Sequence, residues 1–528
     1  MLARRLSPLV GLVSRRAVLW LSLLLALLPL LPSWSYLASH PWAAMSVDDD
    51  NALLEITTRR AAHGEQLLGS YSRFGWNHPG PMQFTLMVPV YALTGSRNAS
   101  VYAAALTWNT LWVLGAAFVA WRLGGSRLSL LTAGALALLL AQLGPGLVSH
   151  AWGPHAIVLP LFLFVLLGAG FALRGGAWMP GLAFVGTFLV QTHLGTGPTV
   201  VTLAGAALLL WIRTRAPGAR VPRRAAAWTA CILAIFWAPP LLEQLRNSPG
   251  NLGLVLAFFR GHHEAHPFGE IADPVTRLLG ALPLSFATVL VPSTSDRRGI
   301  GAGLFALALV ALLPLAAASS RRRGRTFAAA LGILSCVGVA CAFLSALKIV
   351  GRPLDYLFLF MASLGAVGWL ALAASASGAG ELPAGRRRAG LAVAAAVLVS
   401  LLAADANVRG LVSAQPMPLG TISSVKTFSE NLKQALLAAG VKRPLIAMEG
   451  DAPWIPAAGV VLELERARLP FAIDEKWRPM FGRGYARDGR EDAVVLFADG
   501  GLSERSDAKL VARADAVSVW LLRAPSSR

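Results

Sequence analysis

The sequence predicts an all-α polytopic membrane protein of about 11–13 transmembrane helices, with a small C-terminal α/β extracytoplasmic domain. Three observations lead there. The 528 residues are 55% hydrophobic and only 14% charged, with mean hydropathy +0.58, which no ordinary soluble globule matches. Many apolar runs are about 17–23 residues long, enough to cross a hydrocarbon layer of roughly 30 Å. Beyond about residue 406 the character changes, and charges of both signs mix with soluble-type patterns.

A chain inside lipid must satisfy its backbone hydrogen bonds within itself, so the runs read as helices. Candidate spans are 17–37, 97–121, 127–148, 155–173, 177–194, 197–212, 226–245, 301–318, 326–346, 354–374 and 390–405. The first has a basic leader but a long apolar run and no clear cleavage site, so an uncleaved span is expected. Two further semi-apolar pieces, 82–95 and 276–292, are expected as interfacial or re-entrant helices.

The formal net charge of +20 could suit nucleic acid, but its distribution excludes that partner. Arginines gather in short clusters between spans: Arg4, Arg5, Arg15 and Arg16; Arg122 and Arg127; Arg213, Arg215, Arg220, Arg223 and Arg224; Arg321, Arg322, Arg323 and Arg325; Arg386, Arg387 and Arg388. This is the positive-inside pattern. Alternating spans from a cytoplasmic N-terminus puts every cluster inside and the first polar loop, 39–96, outside. All nine histidines then fall at the outer side: His40, His63, His78, His150, His155, His193, His262, His263 and His266. Most acidic residues before the tail do the same, Glu381 excepted. Chemistry is therefore expected on the outer face of a cytoplasmic membrane. Cys231, Cys336 and Cys341 sit inside apolar runs and offer neither a disulfide framework nor a metal spacing.

Two domains follow: a multi-pass portion, 1–405, and an extracytoplasmic α/β domain, 406–528. In the latter, Ser424–Gly440 reads as an amphipathic helix with Val425, Phe428, Leu432 and Leu436 on one face. Leu445–Met448, Ala493–Phe497 and Val517–Leu522 read as short strands.

The densest polar stretch is Met45–Pro89. Asp48, Asp49 and Asp50 could cap a surface helix from Asn51 to Ala62, supported by an i,i+4 pair of Glu55 with Arg59. Alternatively, one carboxylate at the membrane boundary deprotonates an acceptor hydroxyl; like charge and burial would raise its pKa towards a useful range. A divalent cation on Asp48, Asp49 and Asp50 is a third, weaker reading, since nothing fixes its geometry; no cofactor is otherwise implied. Tyr71, Arg73, Trp76, Asn77 and His78 precede Pro79-Gly-Pro81, a rigid entry to the 82–95 helix with Asn77 as a cap. Arg73 and His78 would suit a phosphate, and Trp76 a sugar ring or the interface.

Other outer ends add His150, Trp152 and His155; Gln191 and His193; and Lys348, Arg352, Asp355 and Tyr356. Lys348 and Arg352 bracket a short loop and could clamp a phosphate. His262, His263 and His266 are grouped in a loop without helical spacing, which disfavours zinc.

Asp50-Asn-Ala-Leu-Leu-Glu55 followed by YSRFGWNHPGP resembles the C-type membrane glycosyltransferases, including protein O-mannosyltransferases and lipid A aminoarabinose transferases. The resemblance implies transfer of a sugar from a polyprenyl-phosphate donor, with inversion, to a lipid, glycan or protein acceptor. It implies Asp50 as catalytic base with Asp49 the second choice, and His78-Pro79 as the family's HP motif. The contiguous Asp-Glu pair of relatives is here Asp50-Asn51. On residues alone, a lipid-linked-sugar flippase or transporter is the rival, disfavoured by spans nearly free of charge. A membrane assembly protein is the third.

Overall fold

The computed structural model describes residues 15–39, 47–218, 220–261, 263–290, 297–378, 386–413, 423–450, 452–499, 508–514 and 516–523. Arg4, Arg5, His40, Met45, His262 and Glu381 lie outside them.

The helices before the tail are α1 (Arg15–Leu27), α2 (Leu31–Ser39), α3 (Asp49–Ala62), α4 (Met82–Leu93), α5 (Asn98–Ser149), α6 (Val158–Arg174), α7 (Met179–Thr192), α8 (Gly197–Thr214), α9 (Arg223–Arg246), α10 (Asn251–Arg260), α11 (Phe268–Leu290), α12 (Arg297–Arg322), α13 (Thr326–Ala346), α14 (Met361–Ser377) and α15 (Arg386–Ser413). The tail contributes α16 (Ser423–Ala439), β1 (Pro444–Glu449), α17 (Trp454–Arg466), β2 (Ala472–Ile473), β3 (Ala493–Asp499), β4 (Ala508–Ala514) and β5 (Val517–Arg523). They form two compact units. One takes 1–39, 105–238 and 260–417; the other takes 40–104, 239–259 and 418–528.

In the first unit the apolar runs are helical. Nine stretches among the described residues are long and apolar enough to cross a membrane. Two of these are double. Helix α5 has 52 residues, about 78 Å at 1.5 Å per residue, more than twice a hydrocarbon layer. It breaks at Gly125 (φ 67) and Gly144 (φ 75), conformations open to a residue without a Cβ. The 40-residue stretch Gly153–Thr192 holds α6 and α7, separated by a 3-10 turn that begins at Gly175 (φ 69). Counted as two each, the stretches make eleven apolar segments among the described residues, matching the eleven apolar runs of the sequence. The chain is a multi-pass membrane protein. Its last span is tied to its first, because Asn407 Nδ2 donates to the Pro29 carbonyl at 2.7 Å.

Of the two awkward pieces, α4 has 12 residues and is about 18 Å long, too short to cross. The other begins earlier than expected, as the 23-residue α11. Its first half carries Glu270, Asp273 and Arg277, with an Arg277–Asp273 pair at 2.6 Å. Its second half packs through small residues. A side chain at Gly280 would strike the Ala302 backbone of α12, and one at Gly365 of α14 would come 2.7 Å from the Leu279 carbonyl oxygen.

In the second unit the strand order is β2-β1-β3-β5-β4. Strands β2, β1 and β3 run parallel, with α17 crossing between β1 and β2; β5 is antiparallel to β3 and to β4. The predicted amphipathic helix is α16, and Val425, Phe428, Leu432 and Leu436 are all buried. The three predicted strands are β1, β3 and β5, while α17, β2 and β4 were not foreseen. This domain does not close its core alone. Val47, Ala52 and Ile56, from the start of the first polar loop, share one apolar cluster with Phe428, Val460, Val461 and Phe497. The first polar loop and the tail are thus one folded body, although the sequence suggested a boundary at 406.

Candidate active site

The site is built around the entry to α3. Val47 is buried, Asp48 is extended (φ −116, ψ −172), and Asp49 stands at φ 56, a left-handed conformation unusual for a residue with a Cβ. The side chain of Asp48, the residue at the N-cap, makes no capping bond. Instead the Asp49 carboxylate accepts the backbone N–H of Asp50. Burial raises the Asp50 carboxyl to about 6, and the neighbouring Asp49 charge adds to the rise. Asp48 is also raised by burial and by Asp49. The three carboxylates do not form a cation cage: among the described residues no three His, Cys, Asp or Glu converge as a metal would require. Of the loop histidines, His262 lies outside the described residues, and His266 bonds Glu270 and the Gly351 carbonyl.

Glu55, expected to meet substrate or to pair with Arg59, is wholly buried and engaged by protein. Arg466 grips it from α17 with two bonds, Nε to Oε1 at 3.1 Å and Nη2 to Oε2 at 2.5 Å, and Tyr91 Oη donates to Oε1 at 2.9 Å. Burial pushes its carboxyl up, while Arg466, Tyr91 and Arg59 pull it back. Arg59 turns to Tyr91 and Glu465. Sequence spacing favoured a local i,i+4 pair; the tertiary partners win because only they satisfy a carboxylate with no access to water.

The corner 69–78 is a tight antiparallel turn. Gly69 N donates to His78 O at 2.9 Å, His78 N to Ser70 O at 2.9 Å and Ser72 N to Trp76 O at 2.8 Å, and Gly75 takes φ 83. Asn77 caps no helix. Its Nδ2 bonds the Gly69 carbonyl, and its backbone exchanges two bonds with the Asn251 amide of α10, at 2.7 and 2.8 Å. Asn251 N in turn donates to Glu243 Oε2 at 2.9 Å. Trp76, 6% exposed, lies against His78, Phe258 and Phe259. Its indole N–H is buried without an acceptor among the described residues. Tyr71 is half-buried, and burial raises its hydroxyl pKa; Arg73 is exposed over the Phe74 ring.

The remaining candidates belong to the first unit. His150, Trp152, His155 and Tyr356 come together: His150 and His155 rings are 5.2 Å apart, Trp152 and His155 5.2 Å, and Trp152 and Tyr356 4.7 Å. Burial lowers His150 to about 4. Gln191 is fully buried, and its Nε2 donates to the Phe236 carbonyl at 2.7 Å, tying two helices. His193 closes the end of α7, its N–H on Leu189 O. Lys348 and Arg352 are exposed in the loop after α13, and neither forms an ion pair among the described residues. Sequence reasoning missed Tyr91, Glu243, Asn251 and Arg466, which sit in ordinary-looking helices and lack any local pattern.

No family model and no curated protein sequence matches this chain. Solved structures do. The crystal structure of ArnT from Cupriavidus metallidurans bound to undecaprenyl phosphate aligns over 94% of this chain and 97% of that one, with TM-score 0.54 and 14% identity. The chain shares the fold of that structure. The arabinofuranosyltransferase AftD from Mycobacteria aligns over 97% of this chain and 40% of its own length, at TM-score 0.40 and 14% identity.

Proposed function

We propose that the protein is a membrane glycosyltransferase that moves a sugar from a polyprenyl-phosphate donor to an acceptor hydroxyl on the outer face of the cytoplasmic membrane. The observation that carries this reading is Asp50, a partly buried carboxyl held near 6 at the head of α3. A carboxylate of that basicity is matched to accept a hydroxyl proton near neutral pH. The freed oxygen bonds to the anomeric carbon from the side opposite the phosphate. The sugar–phosphate C–O bond breaks, its electron pair leaves with the phosphate, and the configuration inverts. A phosphate leaves without a strong acid if cations balance its charge. Arg73 is assigned that work in the second unit, with His78 near the corner; Lys348 and Arg352 are the cations of the first unit with the same chemistry. The buried Trp76 N–H would find its missing acceptor in a ligand oxygen. The acceptor, whether lipid, glycan or protein, is reached from the same outer face.

Membranes containing the protein, given polyprenyl-phosphate-linked pentoses and hexoses, are expected to release polyprenyl phosphate. Asp50→Asn should lower the rate by about 100-fold or more, the usual scale for loss of a general base. Full activity in both Asp50→Asn and Asp49→Asn would sink the assignment.

A further inference from the structure

We infer that helix α17 of the C-terminal domain is a splint for the proposed base, with Gly459 and Arg466 as positioning residues for Asp50; the inference rests on the glycosyltransferase reading. Both residues lie on one face of α17, seven positions apart, which is two helical turns. Each grips one side of the aspartates. At Gly459 the helix touches the chain just before them: any side chain there would strike the Val47 carbonyl oxygen and come 2.8 Å from Val425. At Arg466 it grips the chain just after them, through the two bonds to Glu55. Arg466 is itself braced by Glu463, Nη1 to Oε1 at 2.7 Å.

The segment 47–55 is therefore held at both ends by a single rigid element, and Asp50 lies between the holds. A left-handed Asp49 needs such restraint, because an unrestrained entry would relax out of that conformation. Tyr91 adds a third hold on Glu55, and Tyr102 Oη bonds Asn51 Oδ1 at 3.2 Å. The polar character of α3 has the same origin. Glu55 and Thr58 are 0% exposed and Arg60 is 7% exposed, and Arg60 reaches across to the Phe481 carbonyl at 3.2 Å. These groups are spent on orientation, as a precisely aimed side chain requires.

The test uses the full chain in detergent or membranes, with Arg466→Gln, Arg466→Lys and Gly459→Val, each read by hydrogen exchange and by turnover. Arg466→Gln and Gly459→Val should speed amide exchange in peptides covering 47–62 by about 10-fold or more, while the first unit's peptides keep wild-type protection. Turnover number should fall by about 10- to 100-fold with the donor KM nearly unchanged, since an aimed group is lost and no donor contact is removed. Arg466→Lys, which keeps the charge, should recover part of the rate. Wild-type exchange at 47–62 in both Arg466→Gln and Gly459→Val would overturn the splint. So would unchanged kcat in a protein shown to turn over its donor. If wild-type protein turns over no polyprenyl-phosphate sugar while the variants still loosen 47–62, the reaction assigned to the site fails and the splint stands.

Discussion

Asp49 accepts the backbone N–H of Asp50 with its own carboxylate, from a left-handed conformation at φ 56. The charge nearest Asp50 is thus fixed by Asp50's own amide. This geometry turns two adjacent acids into unequal partners, one holding and one poised. An ordinary N-cap would have stabilised the charged form of the capping acid; here burial and the like charge oppose ionisation of Asp50.

Asp49→Asn removes the charge and keeps the shape, since Asn tolerates the left-handed region and retains an acceptor oxygen. Asp50 then loses one of its two upward causes and keeps the larger one, burial. Its pKa should fall from about 6 towards, without reaching, the ordinary 3.8. A base works ionised, so wild-type kcat/KM should decline as pH falls through about 6. In the variant that decline should begin at lower pH, a shift of about one unit or less. A pH profile of kcat/KM for both proteins checks it; coincident acid limbs would show that Asp49 does not tune Asp50.

The corner 69–78 depends on Asn251. Its amide both accepts from and donates to the Asn77 backbone, and its own N–H is held by Glu243. Asn251→Asp keeps one of the two amide bonds and turns the other into an oxygen facing the Asn77 carbonyl oxygen. The loss of a buried donor, with repulsion added, should cost about 1–3 kcal/mol locally. Faster exchange in a peptide covering 69–81, with a higher KM for the donor, is the expected result. Asn251→Ala should loosen the corner less than Asn251→Asp does. The opposite order would argue against this geometry.

Much of this was legible in the sequence, and the rest had a physical reason for hiding. Apolar length and arginine placement are set by the bilayer itself, so the spans could be read one by one. The amphipathic face of α16 needed only helical spacing. Glu55 and Arg60 look like part of a solvated helix because their partners Arg466 and Phe481 lie 411 and 421 residues away. No local pattern encodes such a partner. Helix α17 was missed for a related reason, since it is buried on most faces and carries little periodic contrast. Asp50 was legible as a candidate, and so was the reason one carboxylate of the three would have its pKa raised; how deeply each is buried was not, because burial there is supplied by tertiary packing.

His266 sets the last expectation. It ties the loop carrying Lys348 and Arg352 to the head of α11: its N–H bonds the Leu347 carbonyl at 2.9 Å, Nδ1 lies 2.8 Å from Glu270 and Nε2 2.8 Å from the Gly351 carbonyl. Both ring partners are acceptors, so only the imidazolium, with two N–H groups, can satisfy both. The bond to Glu270, with the Gly351 carbonyl and the Glu270 charge, accordingly holds the His266 pKa above 6.5. A group raised on folding contributes fully below its unfolded pKa and loses that contribution as pH rises through the raised value. The loop at 347–353 should therefore loosen as pH rises through the raised His266 value, above 6.5. Exchange in a peptide covering 345–353 should accelerate as pH rises above 6.5, beyond the intrinsic pH dependence of exchange, and the donor KM should rise with it. His266→Gln should abolish that transition, leaving the loop equally loose at both ends; persistence of the full transition in His266→Gln would assign it to another group.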